Sequence, residues 1–376
     1  MSRVVDLWLR RDKTRTARYG KGLRWQAVWT DGRGGELKES HRTKDAAQAW
    51  IQEQDDKRRQ GFTPGGPRVT VTEAGQRWLT ARVGWEAKTR HEVEATWEKR
   101  IQPRFGDRLV DQVTRDDLRA WVAAMQSEGL SARTIDTYFG RVVALFSWCV
   151  AEKMLPASPA TGIELPKARK RPQLFLQVAE FWALHGAMSA HYQDALWLDV
   201  TTGLRPGEVW ELRGRDVGVR RRRLRVERAV TEVDGKLVIG STKTGEPREV
   251  PLLDDVETML QERAERAGPD GLLFPTARGS QVRVTNFNTQ YWTKAVERAG
   301  LPAGLRMYDL RHTAASWAIR SGASVLSVQR MLGHATPTET LNTYAHLFED
   351  ELDQVSKGIR VMLDRHKTAT GSADAA

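Results

Sequence analysis

The spacing of apolar residues changes several times along the chain. From Leu23 to Trp29 apolar and polar residues alternate, the period of a half-buried strand. Asp31-Gly32-Arg33-Gly34-Gly35 is a turn, and Glu36 to Arg42 predicts the returning strand. Thr43 then caps a helix with Ala46, Ala47, Trp50 and Ile51 on its inner face. Gly61 to Pro67 has the composition of a linker. Residues 69–155 carry helical spacing throughout. One helix covers Val71 to Val83 and a second Thr89 to Ile101. A third opens on Thr114, with Asp117 as capping-box partner, and ends at Gly129. The fourth runs from Ser131 to Met154, with Ile135, Tyr138, Val142, Leu145 and Trp148 inward.

Pro156 to Pro172 is rich in Pro, Lys and Arg and reads as an exposed linker. From about Gln173 helices and strands mix. A helix through Leu196 and Val200 stops at Gly203, and Pro206 suits the first position of the next, which puts Arg205 at its N-terminus. Leu224 with Val226, Leu237 to Gly240, and Glu249 to Leu252 predict a three-stranded antiparallel sheet, with a turn at Lys243-Thr244-Gly245-Glu246. Asp254 to Ala267 and Thr285 to Gly300 are helices. Three short helices follow. Asp309 is the expected N-cap of the first, Ser324 opens the second, and Gly322 and Gly333 stop them. Thr336, Pro337 and Glu339 read as N-cap, first position and capping-box partner of the third, which carries Tyr344. Residues 349–366 are an amphipathic tail helix, and 367–376 are small and polar, as a disordered tail is. The expected fold is multi-domain and mainly α with small antiparallel β-sheets (α+β). Modules over 1–60, 69–155 and 173–366 are joined by linkers over 61–68 and 156–172.

Composition narrows the partner. The 376 residues suit roughly two to three domains. Lys plus Arg number 59 against 48 Asp plus Glu, a net +11 that favours a polyanion, most simply nucleic acid. A merely basic soluble protein is the plainer alternative. The basic positions cluster: Lys21, Arg24, Arg33 and Lys38 on the first sheet, and eight arginines between Arg213 and Arg228, including Arg220, Arg221, Arg222 and Arg223. The first group reads equally well as solvated charge; the density of the second favours phosphate contact. One cysteine, Cys149, excludes a disulfide framework and a Cys-based metal site and fits a reducing cytoplasm. No apolar stretch approaches the roughly 20 residues of a membrane span, and the N-terminus lacks a signal-peptide core.

Four strings carry the chemistry: Thr202-Gly203-Leu204-Arg205-Pro206-Gly207-Glu208, Tyr308-Asp309-Leu310-Arg311-His312-Thr313, Leu332-Gly333-His334, and Tyr344 ten residues on. Together they resemble the tyrosine recombinase (phage integrase) family, closely over 173–363 and by layout over 1–165. The resemblance implies an arm-type DNA-binding domain, a helical (SAM-like) core-binding domain and a catalytic domain. It implies a site of Arg205, Lys243, Tyr308, Arg311, His334 and Tyr344, with Glu208 orienting a neighbour. Lys243 rests on the resemblance alone, since a Lys on a turn is ordinarily just solvated. Ser131, Arg133 and Thr134 occupy the place where the family's helical domain faces DNA, though Ser131 reads as well as an ordinary cap.

No P-loop, His-x-x-x-His pair or nuclease-type carboxylate cluster is present, so the expected route needs no metal and no cofactor. Tyr344 would attack the scissile phosphate and form a 3′-phosphotyrosine, releasing a 5′-hydroxyl. Arg205, Arg311 and His334 would donate to the phosphate oxygens, and Lys243 would protonate the leaving oxygen. One position departs: Tyr308 stands where the family usually has His. A neutral phenol is a poor proton acceptor near pH 7, so Tyr308 is expected to donate to phosphate rather than act as base. His312, one turn further along, offers itself as a substitute base, but it sits in an Arg-His-Thr string common in the family and reads as structural.

The resemblance further implies double-stranded DNA with crossover and arm-type sites, a homo-tetramer joined through the C-terminal tail, and no membrane. It leaves room for a host DNA-bending protein and an excision directionality factor. The expected location is the cytoplasm of a bacterial host, at the nucleoid. The leading function is integration and excision of a phage or integrative element. A chromosome-dimer-type recombinase is the alternative in the same chemistry, and the extra N-terminal module argues against it. A type IB topoisomerase shares the chemistry but not the layout. A non-catalytic DNA-binding regulator has Tyr308 as its one foothold.

Overall fold

A strand the periodicity did not reveal opens the chain: β1 (Arg3–Asp6) pairs antiparallel with β2 (Trp25–Thr30), Arg3 opposite Val28. At four residues it is too short to show a period. β2 pairs in turn with β3 (Glu36–His41), Trp25 opposite His41. Helix α1 (Lys44–Arg59) packs on this sheet. Thr43 Oγ1 accepts from Ala46 N, and the buried Trp29 donates from Nε1 to Asp55 of α1 at 2.8 Å. The computed structural model describes residues 2–30, 35–59, 69–168, 171–242 and 245–348, with 359, 360 and 363. The linker expected over 61–68, the tail helix expected over 349–366 apart from those three residues, and the expected disordered tail lie outside the described residues. The chain divides into two compact units, Met1–Lys170 and Arg171–Ala376. Among the described residues no helix is long and apolar enough to cross a membrane.

The rest of the first unit is helical. α2 (Val71–Ala81) and α5 (Arg115–Ser127) both begin on reciprocal capping boxes, Thr70 with Glu73 and Thr114 with Asp117. Each box satisfies two otherwise orphaned backbone N–H groups. α3 (Ala87–Thr96) runs through one wide turn, Trp97–Ile101, into α4 (Gln102–Phe105). α6 (Ala132–Ala151) starts from Ser131, whose Oγ accepts from Thr134 N at 3.1 Å. Its core face is carried by Ile135, Phe139, Val142, Leu145, Phe146 and Cys149; Tyr138 and Trp148, expected inward, are only partly buried at its edge. The Trp97 ring lies so close to Gly75 that a Cβ there would meet its Cη2 at 2.1 Å.

The second unit contains α7 (Val178–Ala187), α8 (Ala190–Thr202) and α9 (Pro206–Glu211) before its strands. β4 (Val217–Arg220), β5 (Arg223–Val226) and β8 (Arg248–Pro251) form one antiparallel sheet in that order. β6 (Arg228–Val233) and β7 (Lys236–Ser241) form a separate hairpin. This corrects the expected sheet: the strand at Leu237 to Gly240 does not join the other two. The cause is local. Asp234 and Gly235 both have positive φ, +49° and +68°, which turns β7 straight back onto β6 over six residue pairs. The described helices continue with α10 (Asp254–Ala267), α11 (Val284–Phe287), a wide turn at Asn288–Trp292, α12 (Thr293–Arg298), α13 (Tyr308–Arg320), α14 (Val325–Leu332) and α15 (Pro337–Phe348). The fold is mainly α with small antiparallel sheets.

Asp309 is not the N-cap of α13. The helix begins one residue earlier, and the Asp309 carboxylate reaches back to accept from Arg306 N at 2.8 Å and Arg306 Nη2 at 3.1 Å. The carboxylate still serves the helix start, from the first turn rather than from the cap.

Gly75→Ala should lower the stability of the first unit by about 1–3 kcal/mol, since the added methyl must displace a buried indole. Denaturant unfolding followed by tryptophan fluorescence checks this; an unchanged midpoint would mean that the ring moves freely.

Candidate active site

Arg205 stands at the N-cap of α9, where Pro206 takes the first helical position. Its backbone N donates to Glu208 Oε2 at 2.9 Å, and its Nη1 donates to Glu208 Oε1 at 3.1 Å. Glu208 is fully buried and holds a second guanidinium. Arg248 of β8 donates from Nη1 to Oε1 at 3.0 Å and from Nη2 to Oε2 at 2.5 Å. Both arginines also reach the end of α14: Arg205 Nη2 donates to the Gly333 carbonyl and Arg248 Nε to the Met331 carbonyl, each at 3.3 Å. Burial works to raise the Glu208 carboxyl, but the Arg248 guanidinium, helped by Arg205, outweighs it and holds the group below the usual range.

Gly333 makes this approach possible. It closes α14 in the left-handed conformation at φ +65°, and a Cβ there would meet Arg248 Cδ at 2.7 Å. His334 follows directly. Its Nδ1 is hydrogen-bonded to Thr340 Oγ1 at 2.8 Å, and its Nε2 lies 3.9 Å from Glu339 of α15. Burial, reinforced by the Arg311 charge, pushes the His334 imidazole down to about 4, so it is neutral near pH 7.

Arg311 lies on α13 and is fully buried. Its Nη1 donates to the carbonyl of Gly203, two residues before Arg205, at 2.8 Å. Its Nη2 has no hydrogen-bond partner among the described residues. Burial, with the Arg205 charge, lowers the guanidinium to about 10, so it remains charged at neutral pH. Asp199 of α8 is completely buried with neither oxygen paired among the described residues, and burial pushes its carboxyl well up despite Arg311, which weakens it as a counter-charge. Among the described residues, three guanidinium groups (Arg205, Arg248, Arg311) thus gather near the Glu208 carboxylate. That excess suits a bound anion with several oxygens.

Tyr344 of α15 is 1% exposed and packs against Ala315, Ile319, Val328 and Leu332. Its Oη is hydrogen-bonded to His312 Nδ1 at 2.7 Å. Burial raises the phenol, while Arg311 pulls it back only in part. His312 was expected to be merely structural; the structure puts its imidazole on the very oxygen expected to attack. Tyr308 is 38% exposed, and its ring meets His312 edge-on at 5.4 Å. Lys243 lies outside the described residues. Thr242 and Gly245, on either side, are joined by a 2.7 Å backbone hydrogen bond.

Sequence reasoning did not name Arg248 or Thr340, and it set His312 aside as structural. Arg248 had no signal in a chain this rich in arginine. His312 had one, its place one helical turn after Tyr308.

The expected DNA-contact residues are elsewhere, and several already have partners. Arg24 forks onto Asp6 at 2.9 and 3.1 Å, and Lys38 pairs with Glu36 at 3.0 Å. Lys21 is exposed, and Arg33 is outside the described residues. Ser131 and Thr134 make the cap of α6, leaving Arg133 exposed beside them. Arg220 to Arg223 form the exposed β4–β5 turn. There Arg222, at φ +57°, pairs with Asp254, and Arg220 lies 3.8 Å from Glu249, while Arg221 is simply exposed. Arg223 donates to the Arg222 carbonyl at 2.9 Å.

The family model described as "Phage integrase family" matches residues 175–351, which span the whole cluster from Arg205 to Tyr344. The integrase of Mycobacterium phage D29 is 31% identical over 278 residues, 72% of each chain. Among solved structures, the Tn1549 transposon integrase in complex with a circular intermediate DNA superposes with a TM-score of 0.65 at 21% identity, covering 77% of this chain and 99% of that one. A lambda integrase tetramer bound to a Holliday junction gives 0.59 at 17% identity, covering 85% and 91%. At these identities the two structures speak for the fold.

Glu208→Gln should destabilise the second unit at neutral pH by on the order of 3 kcal/mol, because two partly buried guanidinium groups lose their fully buried counter-charge. The folded-state carboxyl is depressed, so its contribution is complete above the unfolded value of about 4.3 and fades as pH falls through the lower folded value. The gap between wild type and variant should therefore narrow under acid conditions. Thermal unfolding at neutral and acid pH checks both; a constant gap would contradict an ionised Glu208.

Proposed function

The chain belongs to the phage integrase family and is a site-specific tyrosine recombinase; from that premise we propose that it integrates and excises the DNA of a phage or integrative element through a 3′-phosphotyrosine at Tyr344. The observation that carries this reading is the charge balance of the site. A scissile phosphodiester offers the oxygens that Arg205, Arg248 and Arg311 together leave unmatched, and Arg311 Nη2 is a buried donor still without an acceptor. Tyr344 attacks phosphorus and its oxygen becomes the phosphotyrosine ester. Arg205 and Arg311 stabilise the charge that gathers on the non-bridging oxygens, and His334, oriented by Thr340, adds a donor from Nε2. Glu208 and Arg248 are positioning residues that hold Arg205 at the helix start. Lys243 is the general acid for the leaving 5′-oxygen. Tyr308, partly exposed at the edge of the site, donates to a phosphate oxygen.

Duplex DNA as substrate is supported by the net +11 charge and by the DNA in the Tn1549 and lambda integrase complexes. A tetramer is supported by the lambda assembly on a Holliday junction. The N-terminal sheet and helix read arm-type sites, the helices of 69–155 bind the crossover site, and the C-terminal segment joins neighbouring protomers. A host DNA-bending protein, an excision factor and residence at the bacterial nucleoid follow from the same reading. The relative from phage D29 bears the name integrase, which favours this function over chromosome-dimer resolution.

Tyr344→Phe should bind a duplex carrying the crossover site as wild type does and form no covalent adduct, because only the attacking oxygen is gone. Denaturing gels of a nicked duplex built from the direct repeats flanking the gene check this. A normal amount of adduct would sink the assignment of the nucleophile.

Tyr308→Phe should slow single-turnover cleavage by tens- to hundreds-fold without abolishing it, the cost of one charge-assisted hydrogen bond of about 1.5–3 kcal/mol. Tyr308→His should be tolerated. A Phe variant at the wild-type rate would put Tyr308 outside the site.

A further inference from the structure

Resting on the recombinase reading above, we propose that His312 is the base that takes the proton of Tyr344 as the phenol oxygen attacks phosphorus. His312 Nδ1 is 2.7 Å from Tyr344 Oη, within reach of direct proton transfer. His334 is not placed on this oxygen: its Nδ1 is engaged by Thr340 Oγ1, its Nε2 lies 3.9 Å from Glu339, and among the described residues it makes no hydrogen bond to Tyr344. Where the resemblance expects an imidazole, three residues before Arg311, this chain has Tyr308. Positions 308 and 312 are one turn apart on α13, so an imidazole at 312 stays on the same helix face.

The surroundings suit a base. The His312 ring is held between Phe175 at 6.3 Å, Tyr308 at 5.4 Å and the Tyr344 ring at 5.8 Å. Burial favours the neutral imidazole, which can accept a proton. On its own helix Asp309 favours the charged form and Arg311 opposes it, as does Arg306 just before the helix. From α15 come Tyr344 itself, Glu339 beside His334, and His346, which packs against the same Phe175 at 6.1 Å. Among the described residues Asp309 is the group that favours the charged form, and the phosphate joins it once DNA is bound.

The step balances. His312 begins neutral with its proton on Nε2, and the Tyr344 hydroxyl donates to Nδ1. The Oη–P bond forms, the P–O5′ bond breaks, the phenol proton passes to Nδ1, and the leaving 5′-oxygen takes a proton from Lys243. In rejoining, His312 returns its proton to the departing Tyr344 oxygen, and Lys243 recovers one from the attacking 5′-hydroxyl.

The test is single-turnover adduct formation on the nicked flanking-repeat duplex across about pH 5 to 9, with wild type, His312→Gln and His312→Gly. The glutamine variant should bind DNA normally and cleave about 10²- to 10⁴-fold more slowly. It should also lose the wild-type rise in rate on the acid side, where His312 becomes neutral. The glycine variant should regain cleavage when imidazole is added to the buffer. A glutamine variant that keeps the wild-type pH profile, whatever its rate, would leave His312 a positioning role and overturn the proposal. So would a folded glycine variant, judged by an unchanged Tm, that imidazole does not rescue. No adduct with wild type would bring down the recombinase reading and this inference together; an adduct with wild type and an unaffected glutamine variant would overturn the inference alone.

Discussion

One buried carboxylate organises the catalytic half of the molecule. Glu208 has both oxygens committed to guanidinium groups and to the backbone of Arg205. Those guanidiniums in turn hold the carbonyls of Met331 and Gly333 at the end of α14. The start of α9, the strand β8 and the turn that presents His334 are thereby tied to a single anion. A surface ion pair would contribute little to such an arrangement; a buried one is costly to break because each partner is left uncompensated. The site's geometry and the local stability of the second unit are consequently the same set of contacts.

Around this anchor burial favours the neutral form of four other groups: it lowers the His334 and His312 imidazoles and raises the Asp199 carboxyl and the Tyr344 phenol. The positive charge of the site is then carried by Arg205, Arg248 and Arg311. A site of this kind is preset for an anion and need not reorganise its charges when one arrives. Asp199 matters here: by raising its carboxyl, burial limits how far that acid offsets the Arg311 charge.

Much of this was legible in the sequence, because it depends on short-range rules. The capping box at Thr114, the N-cap at Ser131, the stop at Gly203, the helix opening at Pro206 and the left-handed Gly333 are all local backbone chemistry, and each of these positions stands where expected. What was not legible depends on contacts between distant segments. Nothing local marks Arg248 as the second partner of Glu208, forty residues away. Nothing local says that His312 meets Tyr344 across thirty-two residues. The separate β6–β7 hairpin is a different case, since the Asp234-Gly235 turn was written plainly in the chain and outranks any longer-range pairing of its strand.

The depth of Tyr344 has a consequence for the life of the cut strand. As the proposed nucleophile, a tyrosine 1% exposed and packed with Ala315, Ile319, Val328 and Leu332 would hold its ester bond in surroundings that admit little water. Hydrolysis would end each event as a permanent break with no stored bond to spend. Shielded from solvent, the proposed ester would instead outlast the wait for a 5′-hydroxyl held in place by paired bases. On that reading, the packing that makes the phenol hard to ionise would also separate an exchange of strands from simple damage to a chromosome.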